Sequence, residues 1–131
     1  MVAIKRVICS ERVRKIPTQF SWVDHRLVRE GHIERCDAHA AALYLFLVTV
    51  ADVQGLSYYC DASLGRSLST DPVRLSKARG DLIRAGLIAY QRPLYQVLAL
   101  DSPPHIEVRK LSANELAVRL GRLRAAMGRT P

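Results

Sequence analysis

The sequence has few cysteines, no long apolar run and fewer acidic than basic side chains, and each shortage narrows the class of protein. Cys9, Cys36 and Cys60 are odd in number and widely spaced, so we expect no disulfide framework. The longest apolar stretch, from Ala40 to Ala51, is shorter than the roughly 20 residues of a membrane-spanning helix. Charges interrupt the first fifteen residues, so we expect no signal peptide. The expectation is a cytoplasmic protein that contacts no membrane.

Sequence motifs of catalysis are also missing. The chain has no glycine-rich loop to cradle a phosphate, no nucleophile elbow and no carboxylate pair of evident geometry. Arginine, lysine and serine at helical spacing bind anions, but no general base accompanies them. We therefore predict that the protein is not an enzyme and uses no cofactor.

Positive charge is what the chain has in excess. Its 131 residues, 49% hydrophobic and 24% charged, fit one folded domain of ordinary size. They include 20 Lys and Arg against 12 Asp and Glu, a formal net charge of +8. Such an excess suggests a polyanionic partner.

The basic side chains are unevenly distributed along the chain. Residues 1–35 hold eight basic and four acidic side chains, whereas residues 36–70 hold Arg66 against three aspartates. Residues 71–95 carry five basic against two acidic side chains, and residues 96–131 carry six against three. We therefore expect the positive excess on residues 71–95 and on the two ends of the chain.

Hydrophobic patterning and breaker residues divide the chain into four parts. Residues 1–36 are an N-terminal extension, in which residues 22–33 predict a short helix that stops at Gly31. Residues 37–100 carry the pattern of a folded domain. A stiff Pro-containing linker over residues 101–111 precedes an amphipathic C-terminal helix over residues 112–131.

The domain begins with a helix capped by Asp37 and ending near Gly55, apolar on nearly every side and therefore expected to be buried. Residues 56–60 predict a strand, and residues 61–69 predict a two-turn helix capped by Asp61. Pro72 stands at the first position of a further helix, which Gly86 ends. Two apolar stretches, residues 87–91 and 94–100, then flank Arg92-Pro93 as a hairpin.

The helix over residues 71–85 has two distinct sides. At about 100° per residue, Leu75, Ala78, Leu82 and Gly86 fall on one side. The opposite side carries Val73, Lys77, Gly80 and Arg84, flanked by Arg74, Ser76 and Asp81. Arg79 lies towards the apolar side and is expected to snorkel or to pair with an acid. A free side with these residue types can enter a major groove and meet phosphates and base edges, although a solvated surface has the same composition.

The stretch "DLIRAGLIAY" places Leu82, Gly86, Leu87 and Ile88 in the pattern that closes the recognition helix of winged helix-turn-helix proteins. The earlier stretch "DASLGRSL" resembles the shorter helix that precedes the recognition helix. The resemblance to this family, which includes repressors and plasmid or phage replication initiators, covers residues 37–100. The resemblance implies an α+β, mainly helical fold, here with an N-terminal extension and a C-terminal helix. It would align Arg74, Ser76, Lys77, Gly80 and Arg84 with a DNA groove and bring Arg92, at the hairpin tip, to phosphate or the minor groove. Tyr90 and Tyr95 are expected to pack across the hairpin.

Two classes of function follow from this resemblance. The first is sequence-specific binding of double-stranded DNA, by a small transcription regulator or by an accessory factor of DNA replication or of a mobile element. The alternative is a winged-helix module that binds a protein or RNA without reading a DNA sequence. Lys77 and Arg84, opposite Leu75 and Leu82, favour the first class.

The C-terminal helix predicts self-association. Ser112 and Glu115 have capping-box spacing, and an apolar stripe follows at Leu116, Leu120, Leu123 and Met127. Residues 37–100 already contain every element of the predicted domain. The stripe is therefore expected to pair with a second copy or to pack on the N-terminal extension. We favour a homodimer, which would also supply paired half-sites.

Four side chains near the start of the domain are candidate metal ligands, namely His25, His32, Cys36 and His39. Cys36 and His39 have a spacing found among zinc ligands. No second paired motif accompanies them, and both residues stand where a helix begins and could simply pack. We therefore predict no bound metal.

Overall fold

The computed structural model describes residues 4–101, which form an α+β fold of four α-helices and a three-stranded antiparallel sheet. The elements in chain order are α1 (Arg26–Arg29), α2 (Ala38–Val50), β1 (Leu56–Tyr58), α3 (Asp61–Leu68), α4 (Pro72–Arg84), β2 (Ile88–Gln91) and β3 (Leu94–Val97). Two short 3₁₀ turns, Ser10–Arg12 and Ile33–Arg35, precede α2.

The chain divides into two units, Met1–Leu100 and Asp101–Pro131. The predicted helix over residues 112–131, and all but the first residue of the predicted linker over 101–111, lie outside the described residues. The elements α1 to β3 all belong to the first unit.

Helix α2 begins as predicted, because the Asp37 carboxylate caps it by accepting a hydrogen bond from the Ala40 amide at 2.9 Å. It ends at Val50, earlier than the predicted stop near Gly55. The expectation that it is buried on nearly every side was wrong, since Ala42, Leu45 and Thr49 are exposed to solvent.

Helices α3 and α4 are joined by three residues. The N-cap of α3 is Cys60, so Asp61 lies within the first turn and does not cap the helix as predicted. Ser69 adopts a left-handed conformation after Leu68, and Asp71 then caps α4 by accepting from the Arg74 amide at 2.8 Å. Gly86 reverses the chain after α4 with φ at 75°. Glycine adopts this positive φ without the strain that a side chain would cause.

The three strands are arranged in the order β1-β3-β2. In the hairpin, Tyr90 and Tyr95 are cross-strand partners whose ring centroids lie 4.5 Å apart, which confirms the predicted packing. At the start of β1, a Cβ on Gly55 would stand 2.6 Å from the carbonyl oxygen of Val97. Glycine is therefore required where the chain joins the sheet.

The core lies between the three long helices and the sheet. Its fully buried helical leucines are Leu43, Leu47, Leu64, Leu75 and Leu82. Phe46 and Leu68 pack at its margin, and Val50, the last residue of α2, lies outside the core cluster. The sheet and the loop before it add Leu87, Ile88 and Tyr95, so the core of the unit needs no residue before Leu27.

The N-terminal extension contributes little to this packing. The predicted helix over residues 22–33 forms as the four-residue helix α1, and Gly31, at φ 75°, follows it. Leu27 is the buried residue of α1, whereas every residue from 4 to 23 is exposed. Across residues 4–101, no helix has both the length and the apolar character needed to cross a membrane.

Candidate nucleic-acid interface

Helix α4 buries one side and exposes the other as its periodicity predicts. Leu75, Ala78 and Leu82 face the core, with Leu82 fully buried. The outward side carries Arg74, Ser76, Lys77 and Arg84, all exposed, and Gly80, which is half-buried. Five of the six predicted contact residues therefore lie on one helix, and the sixth, Arg92, lies in the β2–β3 turn.

Lys77 is held between two carboxylates. Its Nζ lies 2.9 Å from Oδ2 of Asp81, one turn further along α4, and 3.2 Å from Oδ2 of Asp37, the N-cap of α2. The hydrogen bond to Asp81, followed by that to Asp37, raises the pKa of Lys77 above its ordinary value. The amine is therefore fully charged, but two acids already surround it.

Asp81 also holds Arg84. Nη2 of Arg84 lies 2.5 Å from Oδ1 of Asp81, so Lys77 and Arg84 share one carboxylate. The hydrogen bonds from Lys77 and Arg84 lower the pKa of Asp81. The Arg84 guanidinium extends back over Gly80, where an added Cβ would stand 3.1 Å from Nη1. Gly80 thus leaves room for this arginine along the outward side of the helix.

The remaining arginines of α4 are paired as well. Nε of Arg74 lies 3.5 Å from the Asp71 carboxylate. Arg79 is largely buried, as expected for its side of the helix: Nη2 lies 2.5 Å from Asp61, and Nε donates to the Tyr95 hydroxyl at 2.9 Å. Its guanidinium also lies 4.5 Å from the centre of the Tyr90 ring, so it is a structural cation and not a groove residue.

All four cations of α4 therefore have an acidic partner, whereas pairing was expected for Arg79 alone. Part of the signal was in the sequence, because Asp71–Arg74, Lys77–Asp81 and Asp81–Arg84 have the three- or four-residue spacing of helical ion pairs. The contributions of Asp37 and Asp61 come from other helices and depend on tertiary packing.

Arg92 and Arg66 lie near α4 in the chain and have no acidic partner within residues 4–101. Arg92 is exposed in the β2–β3 turn. The Tyr59 amide, directly after β1, donates to the Pro93 carbonyl in this turn. Arg66 is exposed on α3, where its guanidinium reaches the Ser63 hydroxyl at 3.4 Å. The sequence pattern assigned no role to Arg66.

The candidate metal ligands form no metal site in the part of the chain that is described. No group of three or more His, Cys, Asp or Glu side chains within residues 4–101 is placed to hold a metal ion. The His32 ring is largely buried, with Nε2 at 3.4 Å from the Glu30 carboxylate, and the Cys36 thiol faces the His32 carbonyl. Burial raises the pKa of the Cys36 thiol, which disfavours the thiolate that a metal requires.

Comparisons with protein-family models, with curated proteins and with solved structures gave no match to this chain.

Proposed function

We propose that residues 37–100 form a winged helix-turn-helix domain that binds double-stranded DNA with sequence preference. The observation that carries the proposal is the order helix–strand–helix–helix–strand–strand, combined with the sheet order β1-β3-β2. In this arrangement α3 and α4 are the helix-turn-helix, α4 is the reading helix and the β2–β3 turn is the wing.

The outward side of α4 suits this role. A 13-residue helix is about 20 Å long, and the major groove of B-DNA, about 12 Å wide, admits one. Arg74, Ser76 and Lys77 lie towards the N-terminal end, which reaches base edges in helix-turn-helix docking. Arg84, two turns further on, and Arg92 in the wing are assigned to the phosphate backbone.

The ion pairs on α4 are compatible with this assignment. Exposed pairs are worth about 0–1 kcal/mol each, so phosphates can compete for Lys77 and Arg84. Asp81, once released, is an acceptor for the amino group of a cytosine. We therefore assign Asp81 a part in base preference, in addition to the six residues named from the sequence.

The biological role that accompanies such a domain is that of a small transcription regulator in the cytoplasm, or of an accessory factor of DNA replication or of a mobile element. A homodimer, formed through residues 112–131, would present two reading helices to two half-sites.

A protein-interaction or RNA-binding module is the second candidate, and the charge of the domain favours it. Residues 37–101 contain six basic and six acidic side chains, so their net charge is zero. DNA-binding surfaces normally carry a clear positive excess. The domain would then dock its partner through the exposed side of α4 without contacting DNA.

The test is selection of binding sites from random duplexes, followed by affinity measurements on a selected site and on random duplex. Arg74→Ala, Ser76→Ala and Lys77→Ala should each cost about 1–3 kcal/mol at particular base pairs and relax the preference there. Arg29→Ala, an exposed arginine on α1, is the matched control and should leave the preference intact. No selected sequence, with unchanged affinities for all variants, would favour the protein-interaction module.

A further inference from the structure

The net positive charge of the chain lies outside the proposed reading domain. Residues 17–101 contain nine basic and nine acidic side chains, so they contribute no net charge. The first 16 residues carry five basic side chains against Glu11, namely Lys5, Arg6, Arg12, Arg14 and Lys15. Within the described part of the protein, the whole excess therefore stands on one short segment.

This segment belongs to residues 4–23, which we call the arm. Every residue of the arm is exposed, and its regular structure is one 3₁₀ turn, Ser10–Arg12. The Ser21 hydroxyl donates to the Thr49 carbonyl at 3.0 Å and so joins the end of the arm to the end of α2. None of the five cations forms an ion pair with a residue between 4 and 101, in contrast to every cation of α4.

We propose that the arm supplies most of the electrostatic part of DNA binding, by placing its five cations along the phosphate backbone beside the site read by α4. This inference rests on the proposed function. The physical reason is counterion release: each phosphate neutralised by a cation frees counterions, and affinity then falls with salt. A cation that is paired with an aspartate brings that negative charge close to the phosphate as well. It therefore contributes less to the binding affinity than an unpaired cation.

The length of the arm fits a duplex. An extended chain advances about 3.3 Å per residue, so the ten steps from Lys5 to Lys15 span up to about 33 Å when that segment is fully extended. One turn of B-DNA rises about 34 Å. The cations at the two ends can therefore meet phosphates a full turn apart, or follow one groove between them.

Apolar side chains also project from the arm, among them Ile4, Val7, Ile8, Val13 and Ile16. An anionic membrane surface would attract the same combination of cations and apolar groups. Surface helices that bind membranes keep the two kinds of side chain on opposite faces, whereas the arm is not helical over these residues. The structure therefore favours DNA, and binding to vesicles becomes one outcome of the test.

The experiment compares two full-length variants that each replace five cations by glutamine. The arm variant changes Lys5, Arg6, Arg12, Arg14 and Lys15; the domain variant changes Arg66, Arg74, Lys77, Arg84 and Arg92. Both alter the net charge equally, so long-range effects are matched. The dissociation constant for random duplex is measured at several salt concentrations. Thermal unfolding checks that both variants fold, and the arm variant should unfold at the wild-type temperature because its side chains are not packed.

At about 0.9 per neutralised phosphate, the slope of log affinity against log salt should fall by about four to five in the arm variant. It should fall by about two to three in the domain variant. Arg66 and Arg92 have no acidic partner among residues 4–101, and Arg84, assigned to the backbone, shares Asp81 with Lys77 and contributes less than an unpaired cation. Glu11→Gln should raise the slope by about one. In addition, fluorescence of Trp22, the single tryptophan of the chain and part of the arm, should change on addition of duplex to the wild type.

The contrary outcomes are distinct. A domain variant that loses as much slope as the arm variant, or more, overturns the inference, as does an arm variant with an unchanged slope. Arm-dependent binding to vesicles of anionic lipid, with no effect of the arm on DNA, also overturns it in favour of a membrane surface. Wild-type protein that binds no duplex at low salt defeats the proposed function itself. Arm-dependent duplex binding without any sequence preference supports the arm as the electrostatic part of DNA binding and removes α4 as the reading helix.

Discussion

At the scale of single residues, Asp81 controls how much charge α4 can offer. Its side chain is mostly buried between Lys77 and Arg84 and accepts hydrogen bonds from both. Because these bonds lower its pKa, Asp81 stays ionised at neutral pH and offsets one of the two cations. The outward side of the helix is thus less positive than its basic residues suggest.

Replacing Asp81 by Asn should strengthen non-specific DNA binding. Without the carboxylate, Arg84 is free to meet phosphates and Lys77 keeps Asp37 alone as an acidic partner, so the salt slope should increase by about one. Salt-dependent affinity for random duplex measures this. The folding free energy should change by less than about 1 kcal/mol, because the partners Lys77 and Arg84 are exposed and ion pairs to exposed cations are weak.

Glu30→Gln is the matched control for Asp81→Asn. It removes the same charge from an exposed residue outside α4. If the two variants change the slope equally, the Asp81 carboxylate acts through the net charge of the protein and not through its ion pairs with Lys77 and Arg84.

A second residue-scale feature is the buried hydroxyl of Tyr95. It accepts a hydrogen bond from Nε of Arg79, and its ring is fully buried. Burial raises the pKa of Tyr95 to about 12, although the nearby guanidinium opposes the shift. An unfolded tyrosine ionises near pH 10, so this group's contribution to stability is complete below about pH 10. It is lost as the pH rises towards 12.

Tyr95→Phe should therefore destabilise the fold at pH 7 by about 1–3 kcal/mol, because Nε of Arg79 loses its acceptor. The same variant should lose less stability than the wild type between pH 10 and pH 12. Urea unfolding at a series of pH values measures both effects. Tyr58→Phe, at an exposed tyrosine of β1, should reproduce neither; a similar loss at position 58 would refute the assignment to Tyr95.

At the scale of secondary-structure elements, the phase of α4 connects the core to the candidate interface. Leu75, Ala78 and Leu82 are buried while Lys77 and Arg84 are exposed, so a rotation of the helix would exchange the two sides. The packing of leucines thereby determines which side chains can meet a groove. The turn after α4, at Gly86, then directs the chain into the hairpin that carries Arg92.

Leu82→Ala should cost about 2–5 kcal/mol of folding free energy, the usual range for a buried leucine. Val73→Ala, on the exposed side of the same helix, should cost less than about 0.5 kcal/mol. Chemical denaturation measures both changes. A loss below half a kcal/mol at Leu82 would contradict the burial of this side and, with it, the choice of contact residues.

Sequence patterns predicted the elements of the domain well because their signals are local. The cap at Asp37, Pro72 behind Asp71, and Gly86 each depend on backbone hydrogen bonds or φ angles within a few residues. The prediction missed the cap of α3 by one residue, since Cys60 and not Asp61 is the N-cap. It also failed at the exposed side of α2, because the sequence alone does not tell which helix surface meets another element.

At the scale of the whole molecule, residues 112–131 predict a homodimer. Light scattering on the full chain at high micromolar concentration should give about twice the 14.7 kDa mass of one chain. Leu120→Asp, within the apolar stripe, should lower that mass, whereas Val118→Asp, on the opposite side of the predicted helix, should not. A monomer at the same concentration would contradict the dimer and leave packing on the N-terminal extension as the remaining expectation for this stripe.

By itself the sequence determined the α+β character, the positions of the long helices and the hairpin, and the apolar side of α4. Each depends on periodicity, caps and turns, which act between neighbours along the chain. Tertiary structure decided which charges remain unpaired, because Asp37 and Asp61 reach Lys77 and Arg79 from other helices. A charge count along the chain gave residues 71–95 a positive excess, and folding cancels most of it. Among residues 4–101, the net positive charge is left on the arm, whose five cations are exposed and form no ion pair with another residue of this range.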